Sequence, residues 1–379
     1  MTAASGAASA TAFAGVGYSA VDRVSDRGIL AYALDAAVDA LAAAGISRDE
    51  VDGYVGIGTS PNPDAVHADG ADQVSAYLMT EALGLGPLSW AADVSGFAIN
   101  MAATAAQAIA SGECRCVIGV RAVYQDKAMR AAPEAEPLAW GTSQYKLPFG
   151  AGPGGTRFAA RARRYLELSG ARRADLWHVV RAAREHARGN PVACFRDTPL
   201  SVEDYLAAPL TVDPLCLFDC DMPVCGAGAF VMVSADRARE AGRPVAYLRG
   251  WANWTNADTI FERAGLTRAD VQVCQLYDGY SPMVYEWLER LGWCEEYTAW
   301  KFVADGGTGP GGPLPVNTFG GALGEGRLHG LGHLREGIAQ VMGMAGRRQV
   351  DGVRNCLVQI GPYDLSALAV LSAEPGASQ

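Results

Sequence analysis

A glycine-dense loop that leads into a helix is the segment of this chain best suited to bind a ligand. Residues 317–336 read NTFGGALGEGRLHGLGHLRE. Glycines allow the backbone to approach a ligand closely, and the free N–H groups at the start of a helix point toward it. We therefore expect Asn317, Gly320 and Gly321 to contact a substrate.

Two side chains in the same loop could carry charge or a proton. Arg327 stays protonated at neutral pH and can hold an oxyanion or a phosphate, whereas His329 can transfer a proton. The alternative is a surface arginine and a histidine held by structural hydrogen bonds. His333 lies four residues after His329, but two histidines without a nearby set of carboxylates are a weak metal signal, and we expect no metal.

Polar aromatic residues follow two apolar, strand-like runs. Tyr277, Asp278 and Tyr280 lie in QLYDGYSP after the first run, and Tyr363 lies in GPYD after the second. A tyrosine hydroxyl at the end of a strand can donate to a developing enolate or relay a proton, and Asp278 could orient such groups. In the alternative, Asp278 caps the helix that follows and the tyrosines only pack.

The segment WAADVSGFA, residues 90–98, precedes a strongly apolar and therefore buried helix. We place Asp93 and Ser95 at the substrate. A carboxylate at a helix N-terminus is stabilised as the anion, so Asp93 would be a poor base and a poor acyl acceptor. The alternative is an ordinary N-cap aspartate. Cys114 and Cys116 fall at the far end of the helix.

The bulk properties exclude several classes of protein. A net charge of −10 argues against general nucleic-acid binding, and no apolar run is long enough to span a membrane. The N-terminus lacks the basic region of a signal peptide, and nine irregularly spaced cysteines fit a reducing cytoplasm better than a disulfide framework. The cysteines at 216, 220 and 225 lack a fourth zinc ligand.

Helical patterns alternate with short β-rich runs, which indicates an α/β fold. An alanine-rich helix over residues 29–44 should end at Gly45, and a helix followed by a strand occurs near residues 101–119 and again near 334–361. We expect two similar α/β halves, residues 1–240 and 241–379. Residues 124–215 should form an inserted lid with one basic helix.

The order of these motifs resembles the thiolase superfamily, sterol-carrier-protein type. Asp93 stands where that family has its nucleophilic cysteine, in Cys-x-Ser-Gly. Tyr277 takes the histidine position of His-Asp-x-Phe. Arg327 takes the catalytic histidine position of Asn-x-x-Gly-Gly-x-x-x-x-Gly-His-Pro. Within the superfamily the chain is most similar to the steroid side-chain-cleaving aldolases, which lack the cysteine and use tyrosines.

The resemblance implies a layered αβαβα fold and retro-aldol cleavage of a β-hydroxyacyl-CoA without a covalent acyl-enzyme. Tyr277 or Tyr280 would transfer a proton, His329 or Tyr363 would be the second proton carrier, and Arg327 would stabilise the enolate. Coenzyme A would enter only as part of the substrate, and no covalently bound cofactor is expected.

The resemblance also implies partners: a small OB-fold protein with a zinc ribbon, and a homodimer within a heterotetramer. The arginines between residues 157 and 173 would form either a solvated helix face or a site for coenzyme A phosphates. Two other functions stay open: a thiolase-like acyltransferase or condensing enzyme of secondary metabolism, and a catalytically silent subunit that binds acyl-CoA or lipid.

Overall fold

A nine-stranded mixed β-sheet forms the centre of the protein in this computed structural model. The structure describes residues 11–57, 74–125, 144–145, 147–149, 155–253, 259–362 and 366–376. The strands are β1 (Thr11–Asp22), β2 (Gly53–Gly56), β3 (Trp90–Asp93), β4 (Cys116–Val123), β5 (Leu210–Val212), β6 (Leu215–Cys216), β7 (Cys225–Ser234), β8 (Ala246–Asn253), β9 (Val273–Leu276), β10 (Asn355–Ile360) and β11 (Ala367–Ser372). Strands β5 and β6 form a separate hairpin.

The sheet repeats one pattern on its two sides. Its order is β3-β2-β4-β7-β1-β8-β11-β10-β9. On one side β2 is parallel to β4, and β7 is antiparallel to both β4 and β1. On the other side β9 is parallel to β10, and β11 is antiparallel to both β10 and β8. Among the described strands, the two sides of the sheet pair with each other only through β1 and β8. The predicted fold with two similar α/β halves is confirmed, and the boundary between residues 240 and 241 stays a prediction.

The helices make the layers on either side of these strands. They are α1 (Ile29–Ala44), α2 (Ala76–Leu83), α3 (Ala98–Ala110), α4 (Gly155–Ser169), α5 (Trp177–Ala187), α6 (Val202–Ala207), α7 (Ala235–Glu240), α8 (Ile260–Ala264), α9 (Pro282–Arg290), α10 (Ala299–Ala304), α11 (Gly321–Gly324) and α12 (Leu331–Val341). Helix α1 covers β1, β4 and β7, and α8 covers β8 and β11. Helices α3 and α12 contact each other and strands of both halves, which completes an αβαβα arrangement.

The sequence explains the two central helices and their close neighbours. Helix α3 is alanine-rich, and its buried residues cover most of its circumference, leaving one stripe formed by Asn100, Thr104 and Gln107. All of α12 is buried as well. On the outer side of the N-terminal half, Gly15 and Gly17 of β1 lie so close to α1 that a Cβ atom would come within 2.5 Å and 2.1 Å of its backbone. Helix α1 ends at Gly45 in a left-handed conformation, as predicted.

Two features differ from the expectations. Residues 90–93 form the edge strand β3 rather than only a turn before a helix. The sequence pattern does not predict this strand, because a four-residue run with two alanines gives little β signal. The described part of the inserted region holds three helices, α4 to α6, and the β5–β6 hairpin, not one basic helix. None of the helices in the described ranges is long and apolar enough to cross a membrane.

Candidate active site

Asp278 anchors the glycine loop to the end of β9. Its carboxylate is fully buried and accepts hydrogen bonds from the backbone N–H groups of Ala322, at 2.7 Å, and Leu323, at 3.2 Å. His333 Nε2 lies 3.0 Å from the same carboxylate. Asp278 therefore caps α11, which is distant in sequence, rather than the helix that directly follows it.

The two predicted substrate-binding glycines make room for this anchor. A Cβ atom on Gly321 would lie 2.0 Å from the Asp278 carboxylate, and one on Gly320 would lie 2.8 Å from the Ala187 side chain in α5. Both residues have positive φ angles, 102° for Gly320 and 63° for Gly321. Their close approach is to the protein's own atoms, which fixes the loop that carries Arg327.

Asn317 uses its side-chain amide inside the fold. Its Oδ1 accepts from the backbone N–H of Leu276 at 2.8 Å, and its Nδ2 donates to the Leu276 carbonyl at 2.7 Å. Its φ of 57° lies in the left-handed region, which asparagine tolerates better than most residues. Asn317 thus aligns the glycine loop with the end of β9, directly before Tyr277.

Tyr277 follows β9 and keeps its proton. Its ring packs against His333 with centroids 5.6 Å apart, and its hydroxyl makes no hydrogen bond among the described residues. Burial raises the pKa of the hydroxyl, and the negative charge of Asp221 raises it further, while Arg327 and Arg121 act in the opposite direction. Tyr277 can therefore donate a proton or a hydrogen bond to a bound ligand.

Arg327 lies at the wall of a cavity and is held by three contacts. Its backbone N–H donates to the Met222 carbonyl at 2.7 Å. Its Nε donates to Gln125 Oε1 at 3.0 Å, and its Nη1 donates to the Asp221 carboxylate at 3.1 Å. A buried carboxylate therefore already offsets part of the Arg327 charge.

His329 is half-buried, and the charges of Arg121 and Arg327 both act on it. Its φ of 48° is in the left-handed region, and its buried Nδ1 has no hydrogen-bond partner in the part of the chain that the structure describes. Burial lowers its pKa well below the ordinary value, and the charges of Arg121 and Arg327 lower it further. The imidazole is consequently neutral at physiological pH.

Arg121 is a site residue that lies outside every motif singled out in the sequence. It lies in β4, on the face shared with Val117 and Val123, which packs against α3. Only 3% of the residue is exposed, and its one hydrogen bond to a described residue runs from Nη1 to the Gly96 carbonyl at 3.5 Å. Burial lowers its pKa to about 10, so it remains a cation. The signal was available, because Arg121 is the one charged residue in CVIGVRAV.

The cavity beside Arg327 has a volume of about 420 Å³ and a mixed lining. Tyr280 forms part of its wall and stacks on the Phe158 ring, with centroids 4.3 Å apart. The remaining lining combines polar groups with apolar side chains, among them Arg23, Gln125, Asp221, Val212, Leu215, Leu217 and Met222. The structure thus brings Tyr280 and Arg327 to one cavity, and the charge of Arg327 reaches Tyr277 and His329 behind it.

The remaining predicted site residues fall in three different places. Asp93 ends β3, and its carboxylate accepts from the backbone N–H of Ala76 at 3.2 Å on the sheet face away from α3, so it does not cap α3. Ser95 is exposed in the following turn. The neighbouring Gly96 carbonyl, rather than Asp93, contacts Arg121. Tyr363 lies outside the described residues.

The arginines of the inserted region mostly have intramolecular partners. Arg161 pairs with Glu286, Arg163 with Asp213, and Arg172 with Asp175. Arg173 donates to the carbonyls of Leu206 and Tyr205. The helix face they form is therefore a largely compensated one.

No cysteine occupies the position of a thiolase nucleophile. All nine cysteines lie within the described ranges and form no disulfide with one another. Cys114 and Cys116 follow the C-terminal end of α3. Cys220 lines the cavity, but burial raises its pKa to about 12, so it is a thiol and not a thiolate at neutral pH.

Comparison with known proteins agrees with this geometry. A family model described as thiolase C-terminal domain-like matches residues 251–371. The 17-hydroxy-3-oxo-4-pregnene-20-carboxyl-CoA lyase of Mycobacterium tuberculosis is 32% identical, over 92% of this chain and 96% of its own. A steroid side-chain-cleaving aldolase of Thermomonospora curvata is 31% identical, over 96% of this chain and 98% of its own. The chain belongs to the thiolase-like family of steroid side-chain-cleaving aldolases.

Solved structures give the same family and fold. A structure titled as the Ltp2-ChsH2(DUF35) aldolase superposes with a TM-score of 0.85 and is 30% identical, covering 96% of this chain and 98% of that chain. A sterol-carrier-protein-2 thiolase-like protein from Mycobacterium smegmatis, 19% identical with a TM-score of 0.65, shares the fold. The predicted thiolase-like fold is confirmed, and so is the predicted class of enzyme, a carbon–carbon lyase that acts on a CoA thioester.

Proposed function

We propose that this protein cleaves a β-hydroxyacyl-CoA with a steroid side chain or a similarly branched group into a ketone and a shorter acyl-CoA. The β-hydroxyl loses its proton and becomes the ketone, and the bond between the α and β carbons breaks. Its electron pair passes into the thioester as an enolate, whose α carbon then takes up a proton. Both proton transfers and the anion can be managed by side chains, so coenzyme A enters only as part of the substrate.

One arrangement supports this proposal: two guanidinium groups act electrostatically on both a protonated tyrosine and a neutral histidine, in a site without a thiolate. The charges of Arg121 and Arg327 act on Tyr277 and on His329, and burial raises the pKa of Cys220 to about 12. Acyl transfer needs a nucleophile, whereas retro-aldol cleavage needs proton carriers and an anion site. The residues match the second requirement, which disfavours an acyltransferase.

We assign His329 to receive the proton of the β-hydroxyl. The two arginines oppose a positive charge on its ring in the free protein. When negative charge develops on the enolate beside them, that opposition is reduced, so the imidazole becomes a better base at the moment of cleavage. Proton removal and bond breakage are in this way coupled through charge.

We assign Tyr277 to protonate the α carbon of the enolate. Its raised pKa keeps the proton in place until a strongly basic carbanion forms. Tyr280, stacked on Phe158 at the cavity wall, would contact the departing ketone, and Tyr363 remains a candidate second proton carrier. Asp278 and Asn317 act through the loop that they hold and not by touching substrate.

The assembly is also proposed. The structure titled Ltp2-ChsH2(DUF35) aldolase supports a DUF35-type partner, which we expect to be the small OB-fold protein with a zinc ribbon. Strand β3 pairs with β2 alone among the described strands, so its outer edge is available for a second copy of the chain. A homodimer joined near Asp93 within a heterotetramer follows. The absence of disulfides among the nine cysteines supports a cytoplasmic location.

The experiment is a cleavage assay on the purified chain, with and without its DUF35-type partner, using a branched β-hydroxyacyl-CoA. Chromatography of both products should show ketone and acyl-CoA in equal amounts, and only when the partner is present. Binding of the thioester without turnover in the complex would instead identify a silent binding subunit. Transfer of the acyl group to free coenzyme A or to the protein would identify an acyltransferase.

A further inference from the structure

Arg121 differs from Arg184 and Arg335, the other buried arginines of the described residues, and from the half-buried Arg327 and Arg348, in having no compensating group. Arg335 pairs with Glu325, Arg348 with Glu336, and Arg327 with Asp221. Arg184 has no carboxylate but lies over the Phe195 ring, 3.6 Å from its centroid. Among the described residues, Arg121 has neither a carboxylate nor an aromatic ring as its partner. Its one contact there is a long hydrogen bond to the Gly96 carbonyl. A buried charge is costly unless something pairs with it.

The position of Arg121 indicates which group could compensate its charge. Its side chain reaches the turn formed by Ser95 and Gly96, since its Nη1 donates to the Gly96 carbonyl at 3.5 Å. Tyr277 and His329 both feel its charge. The same site receives the reacting thioester in the proposed function, and no carboxylate of the described residues lies close enough to form an ion pair with Arg121.

We infer that Arg121 is a catalytic residue that binds the thioester oxygen of the substrate as it becomes the enolate oxygen. This inference rests on the proposed function and deepens it. The oxygen is neutral in the bound substrate and anionic once the bond between the α and β carbons has broken, so an uncompensated guanidinium stabilises the transition state more than the ground state. The electron pair of the broken bond ends on this oxygen until Tyr277 protonates the α carbon.

The two arginines, Arg121 and Arg327, would then have different roles. Arg327, which the sequence pattern placed on the enolate, already donates to Asp221 at 3.1 Å at the cavity wall. Its field is therefore weaker for an added anion than that of Arg121. Arg327 shapes the cavity and tunes His329, while Arg121 carries the anion.

The test measures enolate formation separately from cleavage and binding. The full chain in complex with its partner is mixed with propionyl-CoA in D₂O, and exchange of the α protons is followed by NMR. Arg121→Gln should slow exchange by about 10²–10³-fold, the usual cost of one oxyanion donor. The dissociation constant for propionyl-CoA, measured by calorimetry, should change by less than about threefold because the ground-state oxygen is neutral.

Two further variants make the result specific. Arg184→Gln removes another buried arginine whose pKa is also lowered to about 10, and it should leave exchange and binding unchanged. Arg121→Lys keeps a cation and should recover part of the exchange rate, which also provides a result if the glutamine variant fails to fold.

Each remaining outcome contradicts either the role of Arg121 alone or the proposed aldolase function as well. Wild-type exchange in Arg121→Gln overturns the role of Arg121 and leaves the aldolase function standing. When the glutamine variant does not fold, Arg121→Lys overturns the role if its exchange rate and its affinity fall by equal factors. An equal loss of exchange and of binding shows a ground-state or structural role and overturns it too. A wild-type complex that neither cleaves β-hydroxyacyl-CoA nor exchanges propionyl-CoA overturns both proposals.

Discussion

The Arg327 guanidinium donates to the Asp221 carboxylate at 3.1 Å, joining two loops that are 106 residues apart in sequence. The loop that carries Tyr277 also holds the backbone of Asp221, because the Asp221 N–H donates to the Gly279 carbonyl at 3.1 Å. The pair therefore connects the cavity wall with the segment that carries Tyr277. It sets both the local charge and the spacing of the proposed catalytic groups.

A double-mutant cycle on this pair should reveal strong coupling. We expect Arg327→Gln and Asp221→Asn together to show an interaction free energy of about 0.5–3 kcal/mol in urea unfolding, because both groups are largely buried. The exposed pair Arg163 and Asp213 is the matched control, with an expected coupling of about 0–1 kcal/mol. Equal coupling in the two cycles would show that burial does not strengthen the contact.

Removing the Tyr277 hydroxyl should reduce turnover without unfolding the protein. Tyr277→Phe is expected to lower kcat at least tenfold and up to about 10⁴-fold, the range of a positioned proton donor. The control is Tyr285→Phe, which removes a hydroxyl that donates to the Asp175 carbonyl at 2.5 Å in the buried core. Tyr285→Phe should lower the melting temperature and leave kcat unchanged. A loss of kcat in Tyr285→Phe but not in Tyr277→Phe would show that Tyr277 is not the acid.

The acidic limb of the pH profile should lie below the ordinary histidine value. Arg121 and Arg327 disfavour the protonated ring of His329, so neutral imidazole persists as the pH falls through 6.5. We expect kcat/KM to stay constant from pH 8 down to about pH 6 before it declines. Arg327→Gln should raise the His329 pKa and move the acidic limb to higher pH. His178→Asn should leave the profile in place, and an unmoved limb in Arg327→Gln would exclude His329 as the base.

Gly321→Ala should destabilise the protein through a collision as well as through backbone strain. The added Cβ would meet the Asp278 carboxylate at 2.0 Å, at a φ of 63°. Gly343→Ala isolates the strain, since its φ is 70° and its Cβ would meet nothing within 4 Å. We expect about 1–2 kcal/mol for the control and at least about 1 kcal/mol more for Gly321→Ala, because Asp278 must give up hydrogen bonds. Equal losses in urea unfolding would mean that the carboxylate can move freely.

Residue types and their order along the chain are sufficient to predict the family and much of the scaffold. Local signals suffice for helix α1, whose apolar positions recur at helical spacing and which ends at Gly45 in the left-handed conformation. The order of DVSG, YDGYSP and NTFGGALGEG indicated a thiolase-like aldolase, and the missing cysteine indicated the class of reaction. These conclusions depend only on residue types and their order along the chain.

Which side chains share the site depends on how distant parts of the chain pack together. Asp93 and Arg121 lie in strands of the same sheet, yet the pleat directs one toward the face of α1 and α2 and the other toward α3. The partner of Arg327 is Asp221, 106 residues earlier in the chain. Asp278 caps α11, which begins at Gly321, 43 residues later. Such contacts join distant parts of the chain, so they follow from strand register and packing, which no local pattern of residues encodes.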